Sequence, residues 1–390
     1  MNNSAFTTLW HHLSKHRQKQ FWLLLILMII ASLSEIISVG AVLPFLGILT
    51  APEQIYQHPF MQPVIQILEL TEPSQLILPL TIFFIIVVLL AGSIRLTLLY
   101  VMTRLSFATG ADLSISIYHR TLYQEYAVHV SRNSSEVING IINKTNIVIG
   151  GILTPVLMFI SSIILLIGIM SALFAINIGV ALSAFISFGS LYWLVVRYTK
   201  NQLRNNSQVI ADQSTQMIKS LQEGLGGIRD LLIDGTQQFY CQLYRNADLP
   251  LRRAAGSNQF ISGSPKYIME AIGMTLIAGL AYVMTQQGSG MDTAIPVLGA
   301  LALGAQRLLP ALQQAYGAYS TIKGSRSSFA DVLNLLDQPL PEYADQPPLK
   351  PIPFEKEIKL ANLNFRYTED SPWVLKNINL SLEKGARIGF

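Results

Sequence analysis

The sequence predicts an all-α polytopic membrane protein with six transmembrane helices and long helical extensions beyond the bilayer. Of its 390 residues, 51% are hydrophobic and only 13% are charged, whereas soluble domains contain about 45–50% apolar and about 25% charged residues. Six apolar stretches are each long enough, at about 20 residues, to cross the hydrocarbon core as a helix. They lie at residues 21–49, 76–102, 147–170, 172–196, 267–285 and 293–311.

The composition also excludes several classes of protein. The apolar content is too high for a disordered chain, and Cys241, as the only cysteine, cannot build a disulfide scaffold. The first apolar stretch follows three basic residues, as in a signal peptide, but it is too long and five more stretches follow, so we expect a retained span. The net charge of +4 is spread through a hydrophobic chain and does not indicate a nucleic-acid partner.

The distribution of lysine and arginine between the apolar stretches predicts the orientation. Three of these residues precede the first stretch, four lie at residues 103–146 and eight at 197–259. The loops at 50–75 and 286–292 contain none. Because cytoplasmic loops accumulate lysine and arginine, we expect a multi-pass protein of the plasma (inner) membrane with both termini in the cytoplasm.

The two inward connections predict helical hairpins. They are 44 and 63 residues long, and no proline occurs at residues 103–154 or 188–249, so the spans can continue as helices beyond the bilayer. At about 1.5 Å per residue, arms of about 15–20 residues would project roughly 25–30 Å. Two separate soluble helical subdomains are the alternative, but neither connection is apolar enough to bury its own core.

Each hairpin needs a break at its tip. Three glycines within residues 223–230 weaken the second helical arm, and a short transverse helix can follow through Asp234. In the first hairpin, residues 122–130 precede Asn133, which with Glu136 predicts a capping box at the start of the next helix. The aromatic and charged residues of this tip suit docking on another protein surface. An ordinary solvated loop is the alternative interpretation of this segment.

A second domain is predicted to begin near residue 356. The membrane domain, at 1–335, is followed at 336–355 by a linker that contains six prolines. Behind the linker, residues 356–390 read as three strands joined by two turns. The expected strands are 358–367, 374–385 and 386–390.

These residues resemble the exporter-type ABC transporters, in which six spans are fused to a nucleotide-binding domain. That domain opens with a strand ending in Phe-x-Tyr, a turn, and then Val-Leu-x-x-Ile-x-Leu-x-Ile-x-x-Gly, and residues 365–385 match nearly every fixed position. Within this family, the chain resembles the branch of lipid-linked oligosaccharide flippases and related polysaccharide or glycolipid exporters. The segments that carry the branch resemblance are Arg132–Glu136, Glu223–Asp230, Ser264–Glu270 and Arg307–Pro310.

The resemblance implies a nucleotide site and two coupling segments. Tyr367 lies where an aromatic ring stacks on adenine, and Val374 is assigned to the same site; an ordinary aromatic residue on a strand face is the alternative for Tyr367. Segments 122–130 and 223–234 match the coupling helices that insert into grooves of the nucleotide-binding domains. Their candidate coupling residues are Tyr123, Glu125, Tyr126, Arg229 and Asp230.

The resemblance also implies ATP and Mg²⁺ as cofactors of the full-length family, and a homodimer or heterodimer of two half-transporters. The phosphate-binding loop G-x-x-x-x-G-K-[ST] would begin one or two residues after Phe390, and no Gly-Lys dipeptide occurs in the 390 residues. We therefore expect that these residues alone neither bind ATP well nor hydrolyse it. A fragment of a longer transporter, or a chain served by a separate nucleotide-binding domain, would explain this.

Ionisable residues within the predicted spans are candidates for a substrate cavity, because charge in the membrane is costly and usually faces the bundle interior. Lys266 and Glu270 are four residues apart and can neutralise each other on one helix face, with Pro265 in the first turn of that helix. A structural role and a substrate role both stay open for this pair.

Two arginines and one acid complete the set of cavity candidates. Arg95 has no acidic neighbour in its own span, so we expect it to contact Glu35 or an anionic head group. Arg307 is a further candidate, and it can instead lie at the end of the sixth span, with its side chain reaching water.

No metal site and no catalytic residue are expected. His11, His12 and His16 have no carboxylate or cysteine beside them, and with Trp10 they fit an interfacial helix better than a metal site. No Ser-His-Asp pattern and no paired carboxylates stand out.

The resemblance to exporter-type ABC transporters thus implies the transmembrane half of an ATP-driven exporter or flippase that works by alternating access. The expected cargo is a lipid-linked sugar, glycolipid or polysaccharide precursor, and a peptide or small lipophilic compound is the alternative. Alternatives from other classes are a non-catalytic membrane subunit without transport activity and an ATP-independent secondary transporter.

Overall fold

The computed structural model confirms the helical fold class. The described residues are 3–42, 45, 48–49, 53, 56–57, 59–67, 70–176, 178–286, 291–341, 344, 346, 351–367 and 371–389. For some helical residues, 276–277 and 291–307 among them, only the backbone is described.

Helices form almost all of the described regular structure up to residue 336. The first part of the chain contains α1 (Asn3–His12), α2 (Lys15–Gly40), α3 (Gln62–Ile67) and α4 (Ile77–Leu122). The middle part contains α5 (Tyr126–Ser131), α6 (Ser134–Asn139), α7 (Thr145–Val148), α8 (Thr154–Ile176), α9 (Ile178–Gly226) and α10 (Ile228–Asp234). The last helices are α11 (Gln237–Gln286), α12 (Met291–Gly324) and α13 (Arg326–Leu336).

Three helices in the described part of the chain are long and apolar enough to cross a membrane. They are Lys15–Ser38, Pro73–Leu122 and Ser134–Ser171, and they contain most of the first three predicted spans. The predicted break after Met170 differs from the structure, because α8 continues to Ile176. No glycine or proline interrupts residues 171–176, so the helix has no local reason to end earlier. The remaining three predicted spans lie mainly in α9, α11 and α12, where many side chains lie outside the described residues.

The longest helices extend far beyond any bilayer. Helices α4, α9 and α11 contain 46, 49 and 50 residues, which at about 1.5 Å per residue corresponds to roughly 70–75 Å, against about 30 Å of hydrocarbon. The predicted helical extensions are therefore confirmed. The position expected for Pro265 is wrong, because Pro265 and Pro250 both lie inside α11 rather than in a first turn. Proline is tolerated in such helices where neighbouring helices satisfy the freed backbone groups.

The helix that begins at Ser134 contains two wider turns. Gly140–Lys144 and Ile149–Leu153 are π-helical, and they join α6, α7 and α8 into one continuous rod. The first π turn packs against α13, since Gly140 meets Leu335, and the second packs against the residue directly before α13, since Gly151 meets Ser325. A side chain larger than hydrogen at Gly151 would place its Cβ 2.7 Å from the Cβ of Ser325 and closer still to its Oγ. Glycine thus permits the close approach of α13 to the rod.

One apolar cluster joins these elements where the arms begin. It combines α1, α4, the π turns and α13. Its buried side chains include Leu9, Ile117, Val148, Ile152, Phe329, Val332 and Leu336. Phe6 packs against Phe329 with ring centroids 5.6 Å apart. The cluster therefore fixes the N-terminal helix and the last helix of the membrane domain on the same rod.

A buried ion pair strengthens this connection. The Lys144 Nζ atom lies 2.6 Å from Asp331 Oδ2, and the Lys144 side chain is 7% exposed while that of Asp331 is 39% exposed. Further along the chain, the Arg120 guanidinium donates to the Gln338 carbonyl at 2.8 Å. Gln124 donates to the Pro339 carbonyl at 2.8 Å. The chain that leaves α13 is thus held against the end of α4.

Two antiparallel strands follow the linker. Strand β1 (Glu357–Phe365) pairs with β2 (Leu375–Glu383), with Glu357 opposite Glu383 and irregular register near Leu363. Asn362 and Asn377 adopt left-handed backbone conformations, with φ of 52° and 51°. Asparagine tolerates this region better than most residues. The predicted third strand, residues 386–390, is not a strand at 386–389, and Phe390 lies outside the described residues. A strand needs a hydrogen-bonded neighbour, and β1 and β2 pair with each other.

Substituting Gly151 tests the close approach of α13. We expect Gly151→Ala to lower the free energy of unfolding by about 1–3 kcal/mol, because the new methyl group overlaps Ser325. Gly150→Ala is the matched control, since no atom lies within 4 Å of the position that its new methyl group would occupy. Thermal unfolding of the purified protein measures both, and Gly151→Ala combined with Ser325→Gly should regain part of the loss. Equal behaviour of the two alanine variants would contradict the packing described.

The Lys144–Asp331 pair predicts an asymmetric mutational response. Asp331→Asn leaves a buried ammonium group without its counter-charge, so we expect a loss of about 3 kcal/mol in the free energy of unfolding. Lys144→Met leaves a carboxylate that water already reaches, so we expect a loss of about 1 kcal/mol. Denaturant unfolding of both variants, with the double variant as a control, provides the comparison. A larger loss for Lys144→Met would show that the ion pair is not the stabilising element.

Candidate functional site

The tip of the first hairpin is a short helix between two sharp turns. Helix α4 ends at Leu122, and Glu125 is extended, with φ of −61° and ψ of 149°, directly before α5. The Glu125 carbonyl accepts from the backbone N–H groups of Val128 and His129 at 3.0 and 3.3 Å. Tyr126 is 69% exposed. Two of the predicted coupling residues, Glu125 and Tyr126, therefore present themselves at the surface of the tip, and Tyr123 is half-buried beside them.

The helix after this tip begins with an asparagine cap. The Asn133 side chain accepts from the Ser135 backbone N–H at 3.0 Å, and the Asn133 carbonyl accepts from the Glu136 N–H at 3.0 Å. The predicted cap residue is confirmed, but its side chain bonds to Ser135 rather than pairing reciprocally with Glu136. This cap therefore fixes the first residue of α6 next to the exposed tip.

The tip of the second hairpin is also a short helix. Helix α9 ends at Gly226, Gly227 precedes α10, and Gly235 ends it with φ of 67°. That left-handed conformation suits glycine, which has no Cβ to clash. The short helix predicted through Asp234 is therefore confirmed. Its predicted coupling residues, Arg229 and Asp230, are exposed.

The second tip presents apolar side chains to its surroundings. Ile228, Leu232 and Ile233 are 45%, 60% and 72% exposed, while Leu231 alone of the apolar residues in α10 is buried. Three exposed aliphatic side chains on a helix of seven residues are unusual at a solvated surface. Exposed patches of this kind mark interaction sites more often than they serve the fold itself.

A buried polar cluster connects the two hairpins. Asn139 is fully buried, donates to Thr215 Oγ1 at 3.1 Å and accepts from Ser214 Oγ at 3.0 Å. Asn143 donates to the same Asn139 oxygen at 3.0 Å. Because an unsatisfied buried amide is costly, these bonds fix α6 against α9. The first hairpin is therefore joined to the second by directional hydrogen bonds between α6 and α9.

A cavity of about 420 Å³ lies between α2, α4 and α8. Glu35 and Arg95 both line it, and the Arg95 guanidinium lies 4.0 Å from the Glu35 carboxylate. The Glu35 side chain is 14% exposed and that of Arg95 is 68% exposed. The other lining residues mix apolar and polar groups. They include Met28, Ser32, Leu98, Met102, Ser161 and Gln314.

The other predicted cavity residues lie elsewhere. Lys266 and Glu270 approach to 4.0 Å on α11, and both side chains are about half exposed, so they share a helix face as expected. Neither lines the cavity that contains Glu35 and Arg95. Arg307 lies on α12, and its side chain lies outside the described residues.

The predicted nucleotide-contacting residues lie at one end of the β-hairpin. The Val374 backbone N–H donates to the Phe365 carbonyl at 2.9 Å, and the Tyr367 ring packs edge-on to Phe365 with centroids 5.1 Å apart. Tyr367 is 45% exposed and Val374 is 55% exposed. An exposed aromatic ring held by a neighbouring ring fits the stacking role implied for Tyr367.

The histidines near the N-terminus have hydrogen-bonding partners. His12 bonds to Asp337 at 2.8 Å, and His16 bonds to Gln20 at 3.1 Å. Among the described residues, no group of three or more potential metal ligands occurs. His12 instead contributes to holding α1 beside the segment that follows α13.

Positive charge gathers where Lys200 in the interior of α9 approaches Lys323 at the end of α12 and Arg326 at the start of α13. The Lys323 ammonium lies 5.7 Å from the Tyr319 ring centre. Burial lowers the pKa of Lys323 from its ordinary value, and the charges of Arg326 and Lys200 lower it further. Three neighbouring cations therefore lie where the arm α9 passes the end of the membrane domain.

Two structural elements of this site were not identified from the sequence. They are the Lys144–Asp331 pair and the Asn139 cluster, both of which join residues far apart in the chain. One signal was available, because Lys144 is the only charged residue between Val137 and Val196. A lone lysine in so apolar a segment needs a distant counter-charge.

Comparison with known proteins agrees with this architecture. The ABC transporter transmembrane region matches residues 21–291. The chain is 23% identical over 204 residues to an ATP-dependent lipid A-core flippase of Chromohalobacter salexigens, a match that covers 52% of this chain and 35% of the relative. It is 27% identical over 189 residues to the heterocyst differentiation ATP-binding protein HepA of Nostoc sp., covering 47% of this chain and 30% of the relative.

The chain spans about a third of the length of these curated relatives, 35% and 30%. The family match nevertheless covers most of the helical part described above, including both hairpins. It also agrees with the apolar helices that are long enough to cross a bilayer. The chain therefore belongs to the ABC transporter transmembrane-region family and is a membrane protein of the exporter type.

Proposed function

We propose that the chain forms the transmembrane half of an ATP-driven exporter or flippase that moves a lipid-linked sugar, glycolipid or polysaccharide precursor. The observation that carries the proposal is the pair of exposed short helices, α5 and α10, at the ends of helices that continue into the membrane. Rigid rods with binding surfaces at their tips are suited to carrying movement from a nucleotide-binding domain to the spans. The flippase named among the relatives supports this class of function.

The proposed orientation places both hairpin tips and both termini in the cytoplasm of a plasma (inner) membrane protein. Its support is the complete asymmetry of lysine and arginine between the two sets of loops. The nucleotide-binding domains that would meet the tips act in the cytoplasm, whether they are in cis or in trans. Two half-transporters, identical or different, would form the working dimer.

The chain's own residues perform the mechanical part of this mechanism. Hydrolysis of ATP with Mg²⁺ in the nucleotide-binding domains supplies the free energy. Leu232 and Ile233 of α10 dock on one such domain, and Tyr126 of α5 docks on a neighbouring surface. The Asn139 cluster and the Lys144–Asp331 pair keep the two tips and α13 moving together. Inward movement of the arms then opens the spans on the opposite side, and cargo affinity differs between the two states.

The cavity between α2, α4 and α8 supports an amphipathic cargo. Glu35 and Arg95 provide a polar pair at membrane depth, and Met28, Leu98 and Met102 provide an apolar wall. A cargo with an anionic head group and a lipid tail would meet both kinds of surface. For Tyr367 and Val374 we propose a contact with the adenine ring, to which Tyr367 contributes the exposed ring.

Removing the Arg95 charge tests the cargo proposal. In proteoliposomes that contain the transporter with its nucleotide-binding domains, we expect Arg95→Ala to reduce ATP-dependent translocation of a fluorescent lipid-linked sugar about tenfold, through loss of a charged contact. Basal ATP hydrolysis and thermal stability should change little. Arg104→Ala, an exposed arginine on the same helix, is the matched control.

Two results would contradict the cargo proposal. Translocation of peptides without translocation of the lipid-linked sugar would favour the peptide exporter. An equal loss of transport, basal ATPase activity and stability in Arg95→Ala would leave that residue only a structural role.

A charge placed on the second tip tests the coupling proposal. Ile233→Asp should abolish the stimulation of ATP hydrolysis by cargo, because a carboxylate would have to be desolvated in an apolar contact. Thermal stability should be unchanged, since Ile233 is 72% exposed. Leu249→Asp, on α11 and 41% exposed, is the control and should retain stimulation.

Disulfide cross-linking provides an independent measurement of the same contact. With Cys241 replaced by serine, cysteines at positions 126 and 233 should cross-link to cysteines in the nucleotide-binding domains. If neither position cross-links to any nucleotide-binding domain in the assembled transporter, the coupling proposal fails.

A further inference from the structure

A second cavity, named here the outer cavity, is lined by neither Glu35 nor Arg95, although Met28 lines both cavities. Its volume is about 350 Å³, within the range of about 300–1,000 Å³ that holds small ligands. The N-terminal helix α1 and the residue that follows it form one wall through Leu9 and Leu13, and α2 forms a second through Trp22 and Leu25. The third wall is the rod at Ile152 and Val156.

Every side chain that lines this outer cavity is apolar or aromatic. Leu9 and Leu13 are only 5% and 7% exposed, whereas Trp22 on the rim is 63% exposed. The cavity is therefore apolar at its base and reachable from outside at its rim. Trp10 and Trp22 both line it, and tryptophan is enriched where hydrocarbon meets head groups. These features suit a flexible hydrocarbon chain rather than a polar solute.

The surface next to the rim is basic. Lys15 and Lys19 are exposed in the first turns of α2. Lys19 lies three residues before Trp22, and Lys15 lies seven before it, so both share the helix face that reaches the cavity. No aspartate or glutamate occurs in the chain before Glu35.

Acidic residues on the packed neighbours are already engaged. Asp112 on α4 bonds to the Arg17 guanidinium at 2.7 Å. Asp337 bonds to His12 at 2.8 Å. Both acidic residues therefore pair with groups other than the two lysines, and among the described residues neither Lys15 nor Lys19 forms an ion pair.

We propose that this outer cavity binds one acyl chain of an anionic membrane phospholipid, with Lys15 and Lys19 contacting its phosphate. The apolar base takes the hydrocarbon chain, and the two lysines select for negative charge. The lipid is a bound structural or regulatory ligand rather than the cargo, because only apolar and aromatic side chains line the outer cavity, whereas Glu35 and Arg95 line the cavity between α2, α4 and α8. Since α1 and the rod both contribute walls, the lipid would also strengthen the attachment of α1 to the core that holds α13.

Photoaffinity labelling tests this site. The protein is reconstituted in nanodiscs of mixed phosphatidylglycerol and phosphatidylcholine, each in turn carrying a diazirine on an acyl chain. Labelled peptides are then identified by mass spectrometry. We expect phosphatidylglycerol to label residues 6–28 and 152–160 preferentially, with a preference of about fivefold for each lysine that contributes.

Two variants separate the hydrocarbon contact from the charge contact. Val156→Trp should fill the cavity and abolish labelling there by either lipid. Lys15→Gln with Lys19→Gln should remove the preference for phosphatidylglycerol while labelling by phosphatidylcholine persists. Lys356→Gln with Lys359→Gln, which neutralises two exposed lysines of the β-hairpin region, is the matched control and should change neither. Size-exclusion chromatography checks that each variant remains folded.

Three results would overturn the proposal. Equal labelling by the two lipids in the unsubstituted protein would mean that charge does not select the occupant. Labelling that Val156→Trp leaves unchanged in a folded protein would mean only annular contact with lipid. Absence of labelling of these peptides by either lipid would mean that no acyl chain occupies the cavity, as when a dimer partner covers it. None of these measurements depends on transport, so they are separable from a failure of the proposed function.

Discussion

The whole structure depends on the requirement that backbone polar groups in hydrocarbon satisfy one another. A helix meets that requirement within its own segment, and the long helices α4, α9 and α11 continue the same hydrogen-bonding pattern far beyond the bilayer. The requirement for internal backbone hydrogen bonds in the membrane therefore also makes these long helices rigid rods. Outside the lipid, water can hydrogen-bond to the free backbone groups at a helix end. The helices therefore end there, at glycines and at extended residues such as Glu125.

In the proposed mechanism the long helices move together, and the buried polar contacts would provide the connection between them. An apolar interface between helices can slide, because its contacts have little directional preference. The Asn139 hydrogen bonds and the Lys144–Asp331 pair are directional and lie in a low-dielectric interior, where a partner that is lost is costly to replace. They define one register between the first hairpin, the second hairpin and α13. The surrounding apolar cluster stabilises the packed helices, and the polar groups select one packing arrangement among them.

Local patterns predicted the parts of this fold that depend on local rules. Apolar runs predicted the three described helices that are long and apolar enough to cross a membrane. The absence of proline predicted the continuous helices α4 and α9, and the glycines at residues 224–227 predicted the break before α10. The Asn133 cap was predictable for the same reason. Contacts between distant residues were not: no spacing rule connects Lys144 to Asp331 or Asn139 to Thr215. The Glu35–Arg95 pair was foreseen only because both charges are costly in the membrane and few partners exist, whereas the outer cavity exists only once three separate helices have packed.

The two π turns change which side chains lie on each face of the rod. Each π turn accommodates one residue more than an α-helical turn, and one residue corresponds to about 100° around the axis. Between Gly140 and Leu153 the rod contains two such turns. A helical wheel drawn without interruption from Asn139 to Leu157 would therefore be wrong by about 200° at its far end and would place lipid-facing positions inside. We expect a protein with this helix to tolerate the deletion of one residue inside either π turn better than a deletion in the adjoining α-helical stretches. A deletion inside a π turn would restore the ordinary α-helical pitch, and the flanking helix faces would keep their positions.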